Sequence, residues 1–248
     1  MARYLLTISY LGTAFCGWQV QPNGESVQQV LGDAIAKVFH VSHGVTGCSR
    51  TDSGVHANMF CCHTDIETEM LPEKIILALN NNLPPEIAVK KCQQVADDFH
   101  ARYSCVGKNY IYKISNKPYL DPFSDGRVYW YKHRLNLENM KLAAELFVGR
   151  HDFSAFCAAN ASVVDKVRTI TECSVTETED IIVISVSADG FLYNMVRIIV
   201  GTLLEVGCGK IEYSSIPQII SSKQRELAGF TAPAHGLYLN KVFYKEVK

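Results

Sequence analysis

The order of the periodic segments in the first 93 residues limits the fold more than any other feature. Apolar side chains that alternate with polar ones predict strands, and apolar side chains at every third or fourth position predict helices. Ser26 is a residue type that caps helices, and Pro72 suits a first helical turn. The predicted order is strand 3–10, helix 27–38, strand 45–49, strand 55–64, helix 72–79 and strand 87–93. This order is typical of α+β folds, in which helices back a mostly antiparallel sheet.

The second half of the chain repeats this logic less regularly. Its predicted elements are strand 109–115, helix 137–147, strands 167–177 and 181–188, helix 191–206 and strand 237–244. The helix over 191–206 is apolar almost all round, so we expect it to pack between other layers. Because no low-complexity linker separates the halves, the boundary is placed by the pattern alone, which gives residues 1–104 and 105–248.

Composition excludes several classes of protein. The chain has 248 residues, of which 48% are hydrophobic, so it can bury a sizeable core. Its nine cysteines include no Cys-x-x-Cys spacing, which argues against a disulfide framework or a zinc site, and we expect no metal or cofactor. The N-terminal residues lack a signal-peptide pattern, and the longest apolar stretch is bounded by Arg197 and Glu205. We therefore expect a cytoplasmic protein that does not span a membrane.

Residues 47–57 are the strongest candidate for a chemical function. They place Asp52 between Arg50 and the glycine turn at Gly54, where a carboxylate can be directed outward. An aspartate at neutral pH is an anion that can attack an electrophilic carbon or stabilise a positive one. The same residue types also make ordinary turns, so a purely structural cap is the alternative that these residues leave open.

The string Arg50-Thr51-Asp52-Ser53-Gly54-Val55-His56-Ala57 resembles the active-site signature of the tRNA pseudouridine synthase A (TruA) family. The family usually has alanine where this chain has Ser53. Further matches follow in family order along the whole chain, at Tyr10–Gln19, Phe99–Tyr103, Lys108–Tyr112, Gly149–Phe156, Gly190–Arg197 and Ala232–Leu237. The resemblance implies an isomerase that converts uridine to pseudouridine in tRNA, at positions 38, 39 and 40 of the anticodon stem-loop. It also implies a homodimer, and two similar α+β halves that meet at a central active-site cleft.

The resemblance also implies roles for individual residues. Asp52 would be the nucleophile, Arg50 would assist flipping of the nucleotide, and Arg197 would pair with the catalytic carboxylate. Tyr110 would stack on the uracil, and Leu237 would line its pocket. Whether Asp52 attacks the ribose, adds to the uracil ring or removes a ribose proton stays open at this point.

Each of these roles has a structural alternative. Arg50 could simply pair with Asp52 to fix the loop, and Tyr110 could be a core residue of an alternating strand. Arg197 lies in an apolar helix, where a buried arginine needs a partner, and Glu205 or Asp189 could serve as well as Asp52. A leucine that enters a strand, as Leu237 does, is ordinary core.

The charge distribution favours an RNA-binding surface despite a net charge of −1. Residues 90–134 hold nine Lys/Arg against four Asp/Glu, whereas residues 65–86 hold five acids and a single lysine. Such segregation allows one side of a nearly neutral protein to hold phosphates. The candidates for phosphate contacts are Arg102, Lys108, Lys113, Arg127, Lys132 and Arg134, and the aromatic residues among them are Phe99, Tyr103, Tyr119 and Trp130.

Other functional classes fit the sequence less well. A zinc nucleoside deaminase needs a His-x-Glu and a later Pro-Cys-x-x-Cys, and the chain has no such cysteine pair. A glycosidase needs two carboxylates, and near Asp52 the sequence supplies only Asp65. His151 and Asp152 are more consistent with capping and loop packing than with a metal or acid/base site. An RNA-binding protein without catalysis is the alternative that only a turnover assay decides.

Overall fold

A computed structural model describes residues 1–40, 44–159 and 163–245, and the chain divides into two compact units. The first unit contains Met1–Val106 together with the chain from Tyr238 onward, and the second contains Gly107–Leu237. The sequence pattern gives the last strand to the second half. In the structure this strand pairs with a strand of the first unit, which is why the first unit includes it.

The helices and strands follow the predicted order closely. The strands are β1 (Ala2–Tyr10), β2 (Thr46–Gly47), β3 (His56–Ile66), β4 (Ile87–Val95), β5 (Cys105–Ser115), β6 (Tyr129–Trp130), β7 (Gly149–Asp152), β8 (Val167–Thr178), β9 (Ile181–Ala188) and β10 (Leu237–Tyr244). The helices are α1 (Val27–Phe39), α2 (Pro72–Asn80), α3 (Leu137–Glu145), α4 (Met195–Gly207) and α5 (Ile216–Ser222). The α+β class with mostly antiparallel strands is therefore confirmed.

The sheet of the first unit has the order β4-β1-β3-β10, and β2 adds to β3. β1 runs antiparallel to both neighbours, with Arg3 opposite Asp65 on β3 and opposite Val95 on β4. β10 pairs with β3 in parallel through Tyr238 opposite His56. This pairing brings the end of the chain to the strand that follows the Asp52 loop.

Helix α1 begins where the sequence predicts. The Ser26 side chain accepts a hydrogen bond from the Gln29 amide at 3.2 Å, which satisfies one of the otherwise unpaired donors of the first turn. Val27, Leu31 and Ile35 are fully buried along one stripe of the helix. The apolar spacing in the sequence therefore marks the face that packs on the unit's core.

The sheet of the second unit has the order β5-β9-β8-β7, all antiparallel, and β6 adds to β5 in parallel. α4 is buried on almost all sides, as its composition predicts. It begins at Met195 rather than 191 because Asn194 takes a left-handed backbone conformation with φ 59°. The short elements β6, β7 and α5 are not predicted by the sequence pattern. No helix in the described ranges is long and apolar enough to cross a membrane.

Candidate active site

The Asp52 loop is fixed by the last residue of β1 and by the segment that follows it. The hydroxyls of Tyr10 and Thr51 share a hydrogen bond of 2.9 Å, and the Trp18 amide donates to the Thr51 carbonyl at 3.1 Å. Within the loop, the Val55 amide donates to the Asp52 carbonyl at 3.1 Å and closes a turn. The backbone of Asp52 is therefore held on both sides, and the position of its carboxylate does not depend on side-chain packing alone.

Glycines make this close approach possible. Gly17 has φ 105°, and a Cβ there would lie 2.5 Å from the Thr51 carbonyl oxygen. A Cβ on Gly12 would overlap the Val55 carbonyl group. Two segments that are about 40 residues apart in sequence thus interlock through backbone that only glycine can provide. Local sequence patterns do not reveal this role, although Gly12 and Gly17 lie within the matched block that begins at Tyr10.

His56 anchors the other end of the loop. It is fully buried, its Nδ1 accepts a hydrogen bond from the Gly12 amide at 3.0 Å, and its ring stacks on Tyr238 at 4.5 Å. An acceptor at Nδ1 places the proton of a neutral imidazole on Nε2. His56 therefore supports the loop through both β3 and β10, a role that its position in the motif does not reveal.

The side chains of the loop differ in exposure. Arg50 is exposed, Asp52 is half-buried and Thr51 is buried. Ser53 is exposed, and its hydroxyl donates to the Phe15 carbonyl at 3.3 Å. The residue that departs from the family pattern thus adds a bond to the same anchoring segment. A carboxylate on a fixed backbone, two residues along the chain from an exposed arginine, suits attack on an anionic substrate such as RNA.

Arg197 is held within the second unit by the segment that follows α5. Its Nε donates to the Ala232 carbonyl at 2.7 Å, and a terminal nitrogen donates to Asn194 Oδ1 at 2.8 Å. The Ala232 amide in turn donates to the Arg197 carbonyl at 3.0 Å. The carboxylate of Asp189, one of the alternative partners, accepts the Thr169 amide at 3.0 Å. Two neutral oxygens of the second unit thus accept hydrogen bonds from the half-buried guanidinium.

Tyr110 and Leu237 are both buried. The Tyr110 ring meets Phe191 edge-on at 5.0 Å. Tyr112, two residues along β5, is fully buried, and its hydroxyl donates to the Pro233 carbonyl at 2.7 Å. Burial raises the pKa of Tyr112, so its hydroxyl stays a donor. The same alternation that points Tyr110 to one face of β5 thus ties that face to the segment that ends at Leu237.

The phosphate-contact candidates are all accessible, but to different degrees. Arg102, Arg127, Lys132 and Arg134 are exposed, whereas Lys108 and Lys113 on β5 are half-buried. Long basic side chains can bury their stems and still present the charge to a ligand. The four exposed residues are therefore the strongest candidates for phosphate contacts.

Asp152 has a structural role. Its carboxylate accepts bonds from the Ser154 amide at 3.0 Å and from the Ser154 hydroxyl at 2.6 Å, and it lies 2.8 Å from Lys223 Nζ. The hydrogen bonds from Lys223 and Ser154 lower the pKa of Asp152. Across residues 1–40, 44–159 and 163–245, no group of three His, Cys, Asp or Glu side chains is placed to hold a metal ion.

Comparisons with known proteins match nearly the whole chain. The family described as tRNA pseudouridine synthase matches residues 6–104 and 143–245. A protein of Ruminiclostridium cellulolyticum called tRNA pseudouridine synthase A is 46% identical over 245 residues, which cover 98% of this chain and 100% of that protein. A protein of Bacillus subtilis with the same name is also 46% identical, over 98% of this chain and 99% of its own length. The resemblance that the motifs indicate is thereby confirmed.

Proposed function

The chain belongs to the tRNA pseudouridine synthase family, and on that premise we propose that it isomerises uridine to pseudouridine in tRNA. In this reaction the bond between N1 and C1′ breaks and a bond between C5 and C1′ forms. The hydrogen on C5 leaves to solvent as a proton, and N1 takes up a proton, so no redox change or energy donor is needed. The observation that carries the proposal is the carboxylate of Asp52 on a loop whose backbone is bonded at Thr51 and at Asp52 itself.

We assign the following catalytic roles. Asp52 is the nucleophile, and Arg50 fills the space that the flipped nucleotide leaves, because a planar guanidinium can stack where a base has been. Arg197 supports the catalytic carboxylate. Tyr110 provides an aromatic surface for the uracil, and Leu237 provides an apolar one.

The proposed substrate follows from the same premise. We propose that the target uridines are at positions 38, 39 and 40 of the anticodon stem-loop, and that Arg102, Lys108, Lys113, Arg127, Lys132 and Arg134 contact its phosphates. We further propose a cytoplasmic homodimer that needs no metal or other cofactor. Light scattering of the purified protein measures the subunit count, and a monomer would contradict this part of the proposal.

Release of tritium from tRNA labelled at C5 of uridine tests the reaction directly, because forming the new bond expels that hydrogen. Asp52→Asn keeps the size of the side chain and removes its charge, so we expect turnover to fall by about 10³-fold or more. Asp33→Asn, at an exposed carboxylate on α1, is the matched control and should keep normal turnover. Transcripts with a single uridine at 38, 39 or 40 identify the positions.

The outcomes separate the alternatives. Substantial turnover by Asp52→Asn would remove the catalytic role of Asp52. Binding of tRNA without tritium release by the unaltered protein would identify an RNA-binding protein that is not a synthase.

A further inference from the structure

The chain between β4 and β5 contains a turn, His100–Ser104, that is closed by its own side chains. The His100 amide donates to the Ser104 hydroxyl at 3.1 Å, and the Ser104 amide donates to the His100 carbonyl at 2.9 Å. The His100 Nδ1 accepts the amides of Arg102 at 3.1 Å and Tyr103 at 3.2 Å. These bonds fix the turn before any ligand arrives.

The turn is also anchored to two strands of the first unit. The Ala101 amide donates to His63 Nδ1 on β3 at 3.1 Å, and the Tyr244 hydroxyl on β10 donates to the Ala101 carbonyl at 2.7 Å. Ala101 itself is fully buried. Because both polar groups of this residue are bonded to side chains of neighbouring strands, the turn cannot shift without breaking a buried and a half-buried hydrogen bond.

The protonation state of His63 suits this anchor. Burial, with smaller contributions from Arg3 and His100, lowers the pKa of His63 to about 4 against the opposing effect of Asp65. The ring is therefore neutral at physiological pH and can accept the Ala101 amide at Nδ1.

The rigid turn presents two side chains to solvent. Tyr103 is 79% exposed, although one face of its ring lies near the His100 ring at a centroid distance of 4.2 Å. Arg102 is exposed, and within the described part of the chain its guanidinium has no hydrogen-bond or ion-pair partner. An aromatic ring with one supported face and one open face, beside an uncommitted guanidinium, matches a base and its phosphate.

We propose that the turn His100–Ser104 is a preorganised RNA-binding element, in which Tyr103 stacks on a base of the tRNA and Arg102 contacts an adjacent phosphate. The proposal rests on the proposed function for the identity of the RNA. It favours RNA over a protein partner because residues 90–134, which contain the turn, are strongly basic. The element acts in binding, so it contributes to affinity and not to the chemical step.

Affinity and saturated rate, measured separately, test the element. With fluorescently labelled tRNA, Tyr103→Ala should weaken binding by about 5- to 100-fold, whereas Tyr103→Phe should stay within about threefold of the unaltered protein. Arg102→Ala should flatten the slope of log affinity against log salt by about 0.7 to 0.9. Single-turnover rates at saturating tRNA should change less than about threefold in all of these variants. Leu71→Ala, at an exposed apolar residue in the acidic stretch, is the control and should bind normally.

The results that would contradict the RNA-binding role of this turn differ from those that would reject the proposed function. If the unaltered protein modifies tRNA while Tyr103→Ala and Arg102→Ala bind as it does, the element is wrong. Equal losses in Tyr103→Phe and Tyr103→Ala would overturn stacking in favour of a bond to the hydroxyl. Tight binding of Tyr103→Ala with a reduced saturated rate would place the residue in the chemistry. Absence of turnover in the unaltered protein would reject the proposed function instead.

The anchor gives a second test. Tyr244→Phe removes the hydroxyl donor to Ala101 and keeps the ring, so it should weaken tRNA binding about three- to tenfold. If the anchor acts through the turn, its effect should largely disappear in a background that already carries Tyr103→Ala. Fully additive losses would show that Tyr244 acts elsewhere.

Discussion

Gly17→Ala should disable the active site from outside the catalytic loop. The backbone at Gly17 has φ 105°, which L side chains rarely adopt, and an added Cβ would lie 2.5 Å from the Thr51 carbonyl oxygen. The carbonyl carbon of Asp52 and the amide nitrogen of Ser53 would each be 3.2 Å away. Ordinary contact needs well over 3 Å, so the Asp52 loop must move away by roughly 1 Å or the 12–18 segment must move instead.

The expected losses follow from these distances. Left-handed strain costs about 1–2 kcal/mol, and with the clash we expect the free energy of unfolding to fall by about 2–3 kcal/mol. A displacement of about 1 Å in the nucleophile can lower kcat/KM by about 100-fold. Urea unfolding and tritium release from labelled tRNA measure the two effects.

Gly32→Ala is the matched control for this substitution. A Cβ at Gly32, inside α1, would meet nothing within 4 Å. This variant should gain about 0.5–1 kcal/mol in unfolding free energy, because glycine is a poor helix former, and it should keep full activity. If Gly17→Ala retained kcat/KM within threefold, the coupling between the two segments would be refuted.

Three further outcomes are expected. Ser26→Ala removes the cap that accepts the Gln29 amide and should lower the unfolding free energy by about 1 kcal/mol in urea; an unchanged value would contradict the cap. His63 has a pKa of about 4 when folded against about 6.5 when unfolded, so stability should be full above pH 6.5 and fall by roughly 3 kcal/mol between pH 6.5 and 4. This pH slope should be absent in His63→Gln, and equal slopes would reject the assignment. Arg197→Lys keeps the charge but loses the Nε bond to Ala232, so thermal unfolding should occur earlier and tritium release should slow; no change in either would show that the bond is dispensable.

The local elements of this fold could be predicted because apolar spacing is a local property. β9 and β10 have the predicted bounds, and α1 ends within one residue of its own predicted end. The pattern does not predict α5, because seven residues give no measurable repeat. The pattern starts α4 too early, because the apolar run includes residues 191–194, which precede the helix.

The strand pairings, in contrast, cannot be predicted from local sequence. Nothing in the local pattern of residues 237–244 indicates that β10 lies parallel to β3, with Tyr238 opposite His56. Register between strands so far apart in sequence is decided by burial in the whole unit and by side-chain pairs such as the stack of these two rings. The resemblance supplies candidate residues, but the anchoring roles of His56, His63 and Tyr244 follow only from the hydrogen bonds of the folded chain.

The catalytic charge and the backbone that positions it depend on different residues of the Asp52 loop and its surroundings. Substitutions can therefore change one without the other. Asp52→Asn should leave the bonds at Thr51 and the close contact with Gly17 intact, so it should lose activity at little cost in stability. Gly17→Ala should lose both activity and stability, because the carboxylate is still present but the backbone that carries it is displaced. If the two variants lost activity with equal and large losses of stability, the carboxylate would be holding the loop together. Asp52 would then be the structural cap that its neighbours in sequence allow, and not the catalytic group.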